Sequence, residues 1–172
     1  MRKGDYLSTI LRSDRTIFSD KDIILLWGDA RTNAAKVRIN YYAKGGALYR
    51  VRRGLYAKDK TYDNLELATK IFTPAYVSFE TVLGVAGVVF QYYDRVFAAS
   101  YLTRDIAADG GTYSYKRIRA AVLTNPAGIE NRGNYSIASP ERAFLDVVYS
   151  YKDYHFDNLS PLDWDKVYKI LP

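Results

Sequence analysis

Between Ala47 and Ala57 the chain reads ALYRVRRGLYA, and few structures accommodate that pattern. Tyr49 and Val51 alternate with Arg50 and Arg52, so an extended strand puts apolar side chains on one face and guanidinium groups on the other. Gly54 supplies a turn after Arg53, and Leu55-Tyr56 resume the β-prone run. The result is a small hairpin with charge on one face and at its tip, a shape suited to a phosphate backbone. A helical segment precedes it directly, and the order of helix then basic hairpin predicts a winged helix-turn-helix.

The upstream sequence supplies the remaining helices. Tyr6, Leu7, Ile10 and Leu11 have the spacing of a short amphipathic helix over residues 5–12. Thr16-Ile17-Phe18 reads as an extended link. Ser19 or Asp20 can N-cap a second helix over 21–27, with Ile23, Ile24 and Trp27 facing inward and Gly28-Asp29 ending it. A third helix is predicted over 32–43, stopped by Gly45-Gly46. With the hairpin, this gives a first domain over residues 1–58.

Charge divides the chain at the same place. Residues 1–58 hold 13 Lys and Arg against 5 Asp and Glu, a net of +8, whereas residues 59–172 hold 12 against 14, a net of −2. A basic module joined to a near-neutral remainder points to nucleic acid as partner. Zero cysteines remove disulfide and thiolate chemistry, and the single histidine, His155, leaves no His-based metal cluster; neither cofactor nor metal is expected. The apolar run from Val82 to Phe90 is too short and glycine-rich to span a bilayer. Arg2-Lys3-Gly4-Asp5 leads into no apolar segment of the signal-peptide kind, so a cytoplasmic protein without membrane association is expected.

Asp59–Asn64 is polar and turn-like, and the domain boundary is placed there, leaving residues 59–172 as a mixed helix–strand domain. Helices are expected over 65–72, broken by Pro74, and over 77–85, capped by Ser78. Residues 96–101, 112–123 and 134–137 are rich in β-branched and aromatic side chains and predict strands. Ser139-Pro140-Glu141 is a strong helix start for a segment running to Tyr151, and a last helix follows Ser160-Pro161 to Ile170. The whole is an α+β chain.

The third helix offers a candidate reading face. Asn33, Lys36, Asn40 and Lys44 share one narrow stripe, and Asn and Lys can address base edges or phosphates in a major groove. Ala34, Ala35, Val37, Ile39, Tyr41 and Tyr42 cover most of the remaining circumference as an apolar arc. Arg38 falls inside that arc, so snorkelling or pairing with an acid is expected of it rather than base contact. Arg31, just before the helix, suits a phosphate, and Thr32 suits a cap. Arg50, Arg52 and Arg53 complete the DNA-binding set; a charged hairpin that merely protects a sheet edge is the competing explanation. Tyr56 is expected to pack. The 17 tyrosines, including Tyr92-Tyr93, Tyr113, Tyr115, Tyr149, Tyr151 and Tyr154, mostly fit half-buried rings with wet hydroxyls.

Catalytic patterns are scarce: no phosphate-binding glycine loop, HExxH or GxSxG occurs. Glu130, Glu141, Asp146 and Asp153 are the acids a nuclease would need, but Glu141 suits a helix N-terminus and Arg142 with Asp146 forms an i,i+4 pair. The sequence points away from an enzyme.

Three stretches together resemble one family. Leu48-Tyr49-Arg50-Val51-Arg52-Arg53-Gly54-Leu55-Tyr56-Ala57 is similar to the L-x-R-x-R-R-G-L-Y signature of AbiEi-type abortive-infection antitoxins. Pro74-Ala75-Tyr76-Val77-Ser78 with Thr81-Val82-Leu83 and Gly87-Val88 is similar to a second block of that family, although Thr81 and Val82 stand where Ser-Ala is usual. Ser139-Pro140-Glu141-Arg142-Ala143-Phe144-Leu145-Asp146 resembles its TPERALLD helix. The resemblance implies a transcriptional regulator, the antitoxin of a type IV toxin–antitoxin system. Such a protein binds inverted repeats in its own promoter through the winged helix and represses the operon. It also counteracts a nucleotidyltransferase-like toxin through its C-terminal domain, without a stable complex. Binding as a homo-oligomer is compatible with an inverted repeat. The alternative from a different class is a protein-interaction adaptor whose winged helix is a docking surface without specific DNA binding.

Overall fold

The computed structural model describes residues 5–171, and its contacts divide the chain into two compact units, 1–71 and 72–172. The first unit begins with α1 (Asp5–Leu11), β1 (Ile17–Ser19) and α2 (Asp20–Trp27). Ser19 both ends the strand and caps the helix. Its hydroxyl accepts from the Asp22 N–H at 3.2 Å, and Asp22 Oδ2 accepts from the Ser19 N–H at 2.9 Å, a reciprocal capping box. Gly28 ends α2 at φ 63°, a left-handed conformation that favours glycine. Then come α3 (Asn33–Lys44), β2 (Tyr49–Arg52), β3 (Leu55–Ala57) and α4 (Asn64–Ile71). Strand order is β1-β3-β2, all antiparallel, so the arginine hairpin is two thirds of a sheet whose third strand is the expected link at Ile17–Ser19.

The three helices share one core with the sheet. Ile10, Phe18, Ile23, Ile24, Trp27, Ala35, Ile39, Leu48 and Tyr56 are all buried together. Trp27 donates its indole N–H to the Tyr6 carbonyl at 2.8 Å, which ties α1 to α2. Ala47 and Leu48 donate their N–H groups to the Tyr42 carbonyl at 2.9 and 3.2 Å, and this fixes the start of β2 against the last turn of α3.

The first unit extends past the expected boundary at Lys58/Asp59 because α4 folds back on β1. Glu66 Oε2 accepts from the Thr16 N–H at 2.8 Å and the Thr16 hydroxyl at 2.7 Å, and Asp63 donates its N–H to the same hydroxyl at 2.9 Å. Lys70 Nζ reaches Asp22 Oδ2 at 3.1 Å, and Arg15 meets Asp22 Oδ1 at 3.0 Å. Burial pushes the Asp22 carboxyl upward, but the Ser19 hydrogen bonds and the Lys70 charge outweigh it and leave it below its ordinary 3.8. A carboxylate depressed by folding adds stability above its unfolded value, and that stability is lost as pH falls through the lower folded value. Acid unfolding of the chain is therefore expected to steepen below about pH 4, and Asp22→Asn is expected to flatten that limb while lowering stability at pH 7. Equal acid sensitivity of variant and wild type in pH-dependent denaturation would refute the assignment.

The second unit contains β4 (Ala75–Val77), α5 (Glu80–Val85), β5 (Val96–Ser100), β6 (Arg104–Ala108), β7 (Gly111–Arg117), α6 (Ala120–Leu123), β8 (Ile129–Asn131), β9 (Ser136–Ala138), α7 (Pro140–Ser150) and α8 (Trp164–Ile170). Its sheet runs β6-β7-β5-β4-β9-β8, with the β5–β7 and β4–β9 pairs parallel and the others antiparallel. The α+β class is as expected, but several details differ from the sequence expectations. Ala75–Val77 is a strand rather than a lead into the helix at 77–85. The Ser78 hydroxyl is spent on Asp146, and α5 starts at Glu80 after Phe79, which sits at φ 56°. The strand expected over 112–123 stops at Arg117, because its partner β5 stops at Ser100, and Ala120–Leu123 turn helical. β6 and β8 are additional strands.

Candidate nucleic-acid interface

Among the described residues of the first unit, six cations on α3, the loop before it and the β2–β3 hairpin are in no salt bridge, as are Arg12, Lys21, Lys58 and Lys60 elsewhere in the unit. Arg15, Arg38 and Lys70 are paired with acids, whereas among the described residues no salt bridge takes up Arg31, Lys36, Lys44, Arg50, Arg52 or Arg53. All of these are exposed except the half-buried Arg52. Arg31 lies in the loop before α3; Lys36 and Lys44 lie on α3 beside the exposed amides of Asn33 and Asn40. Thr32 caps this helix, its hydroxyl accepting from the Ala35 N–H at 3.3 Å. The helix thus presents all four expected residues to solvent and buries Ala35 and Ile39.

The hairpin keeps its predicted alternation. Arg50 is exposed, Val51 is buried and Arg52 is half-buried, while a bulge between Arg50 and Arg52 shifts the register so that Arg52 faces Leu55. Bulges twist a strand and re-aim its side chains. Arg53 and Gly54 form the turn, with Gly54 at φ 77°. Tyr56 is buried beneath, as expected of a packing residue. Burial lifts its hydroxyl above the ordinary 10.0, the neighbouring Asp20 adds to this, and Arg50 pulls the other way. β2 is an edge strand, so protection of that edge remains a second use for the same charges.

Arg38 sits where the helical wheel places it, away from the exposed face. Its guanidinium pairs with Asp29 at 2.8 Å and lies 3.8 Å from the centre of the Tyr6 ring and 5.5 Å from Trp27. The apolar arc expected around the rest of α3 requires correction. Val37 and Tyr41 are each 67% exposed and belong to the same face as Asn33, Lys36, Asn40 and Lys44. Their residue type concealed them.

The acids of the second unit do not converge. Glu130 pairs with Arg132 at 2.9 Å on the surface, Asp153 and His155 are exposed, and buried Glu141 accepts the Asp163 N–H at 3.2 Å. Among the described residues no three His, Cys, Asp or Glu side chains form a metal-holding group. Asp146 has a different task. Arg142 Nε donates to Asp146 Oδ1 at 3.1 Å, and its two other nitrogens reach Tyr76 Oη at 2.9 Å and the carbonyls of Val122, Asn125 and Ala127 at 2.7, 3.1 and 2.6 Å. Ser78 donates to Asp146 Oδ2 at 2.7 Å, and Tyr76 donates to Oδ1 at 3.1 Å. Burial raises the Asp146 carboxyl above its ordinary 3.8 while Ser78, Arg142 and Tyr76 pull it down. Gly128, at φ 72°, leaves room for this clamp: a Cβ there would stand 2.8 Å from Arg142 Cβ and 2.7 Å from Ile170 Cδ1. Every group of the clamp is engaged internally, so it fastens α6, α7 and β4 rather than offering a binding site. An apolar cavity of about 420 Å³ adjoins it, walled by Val122, Leu145, Val148, Tyr149, Ile170 and Leu171.

Among the described residues no helix is long and apolar enough to cross a membrane. No protein-family model and no curated protein matches the sequence.

Proposed function

We propose that the chain is a DNA-binding transcriptional regulator whose first unit acts as a winged helix-turn-helix. The observation that carries this is the set of cations without a salt bridge on α3, the loop before it and the β2–β3 hairpin, beside the exposed amides of Asn33 and Asn40. Three helices followed by a hairpin whose second strand pairs back to β1 is the element order a winged helix requires. In this reading α3 enters the major groove, Asn33, Lys36 and Asn40 address base edges, and Arg31, Lys44, Arg50, Arg52 and Arg53 hold phosphates.

The particular regulator proposed is the antitoxin of a type IV toxin–antitoxin pair, cytoplasmic, repressing its own operon and counteracting a nucleotidyltransferase-like toxin. The three AbiEi-like sequence blocks support it. The third of them contains both ends of the Arg142–Asp146 clamp, and the second contains Tyr76 and Ser78, so two separate blocks meet at one buried network. A reporter driven by the chain's own upstream DNA tests the regulatory half. Repression by the wild-type chain and its loss on Asn33→Ala or Asn40→Ala, by tenfold or so for one bidentate base contact, is the expected result. A reporter indifferent to the wild-type chain would overturn the proposal.

A further inference from the structure

The exposed face of α3 carries more than the polar stripe. At about 100° per residue, Asn33, Lys36, Val37, Asn40, Tyr41 and Lys44 fall within an arc of about 140°, with Asn33 and Lys44 near its middle and Val37 about 30° to one side. Val37 is 67% exposed although the helix buries Ala35 and Ile39 a few positions away. Tyr41 is equally exposed but has a ring neighbour in Tyr42 at 5.8 Å. The exposed β-branched side chain of Val37, one turn from each of two exposed amides, gives this face an apolar contact point.

Resting on the DNA-binding reading, we propose that Val37 reads a thymine methyl group and that α3 selects A·T pairs in each half-site. The chemistry of the neighbours is consistent with that choice. The C5-methyl of thymine projects into the major groove, where an apolar side chain is its natural partner. Asparagine pairs bidentately with N6 and N7 of adenine on the same groove edge, and Asn33 and Asn40 flank Val37 one turn to either side. Asn33 and Val37 also lie in the first half of the helix, the part that a reading helix presents to base edges.

Replacing thymine by deoxyuridine removes that methyl and nothing else. The test uses the full chain and the duplex it enriches from a random pool, with deoxyuridine placed at each half-site thymine in turn. At one symmetry-related position, affinity is expected to fall about fourfold, the worth of one buried methyl group. Val37→Ala, which leaves the melting temperature unchanged because the side chain is exposed, is expected to bind thymine and uracil duplexes equally. An enriched duplex indifferent to uracil at every position overturns this inference alone, as does uracil sensitivity that persists in Val37→Ala. Failure to enrich any duplex overturns the DNA-binding reading and this inference with it.

Discussion

Arg142→Ala is expected to destabilise the second unit by about 3–5 kcal/mol, the cost of leaving a buried ionic partner uncompensated. The guanidinium and the Asp146 carboxylate are only 3% and 2% exposed, so water cannot replace either. Arg142 also serves three backbone carbonyls, one in α6 and two in the loop after it, and these lose their donors in the same step. For that reason the double change Arg142→Met with Asp146→Leu is not expected to restore stability, although swapping an isolated buried pair for apolar residues often does. Arg142→Lys should also fail, since one ammonium cannot span Asp146, Tyr76 and the carbonyls together. Chemical denaturation measures all three. A loss under about 1 kcal/mol for Arg142→Ala, the level of a surface ion pair, would show that the clamp is not a main fastener.

The second large effect is expected on binding. Arg50→Ala, Arg52→Ala and Arg53→Ala combined should weaken affinity for any duplex by on the order of a hundredfold and lower the slope of log affinity against log salt by about 2–3, close to 0.9 per phosphate contact. Folding should be nearly unaffected, because Arg50 and Arg53 are exposed and Val51, Leu55 and Tyr56 keep the hairpin's buried face. Fluorescence anisotropy across salt separates the two uses of this edge strand. A variant that aggregates but binds DNA with an unchanged slope would assign the arginines to edge protection.

Much of the first unit is legible in its sequence because local chemistry decides it. Ser19 with Asp22, Gly28 and Thr32 mark helix ends by side-chain and backbone hydrogen bonds that span at most a few residues. Arg38 could be removed from the reading face on wheel position alone, and its contacts with Asp29 and Tyr6 agree. Val37 and Tyr41 were misplaced because a wheel assigns a face by residue type, whereas α3 needs only Ala35 and Ile39, with help from Tyr42, to fill its side of the core. The first unit runs past Lys58 because Glu66 and Lys70 return to Thr16 and Asp22, contacts that no linker composition reports.

The second unit depends more on pairing between distant segments. β6 has a local signal in the sequence: Asp109-Gly110, at φ 48° and 82°, is the two-residue turn between Ala108 and Gly111 that a tight hairpin demands. β4 had none, because Ala75–Val77 becomes a strand only by lying between β5 and β9. The i,i+4 pair of Arg142 and Asp146 was visible, but its partners Tyr76, Ser78 and the carbonyls in and after α6 come from other parts of the chain.

A first unit that acts as the proposed regulator distinguishes one DNA sequence from others. Competition of the full chain between its own upstream duplex and an unrelated duplex of equal length, at about 150 mM salt, tests it most directly. The expected result is a preference of about a thousandfold or more for the upstream duplex. Equal affinity for the two, or binding to neither, would contradict it.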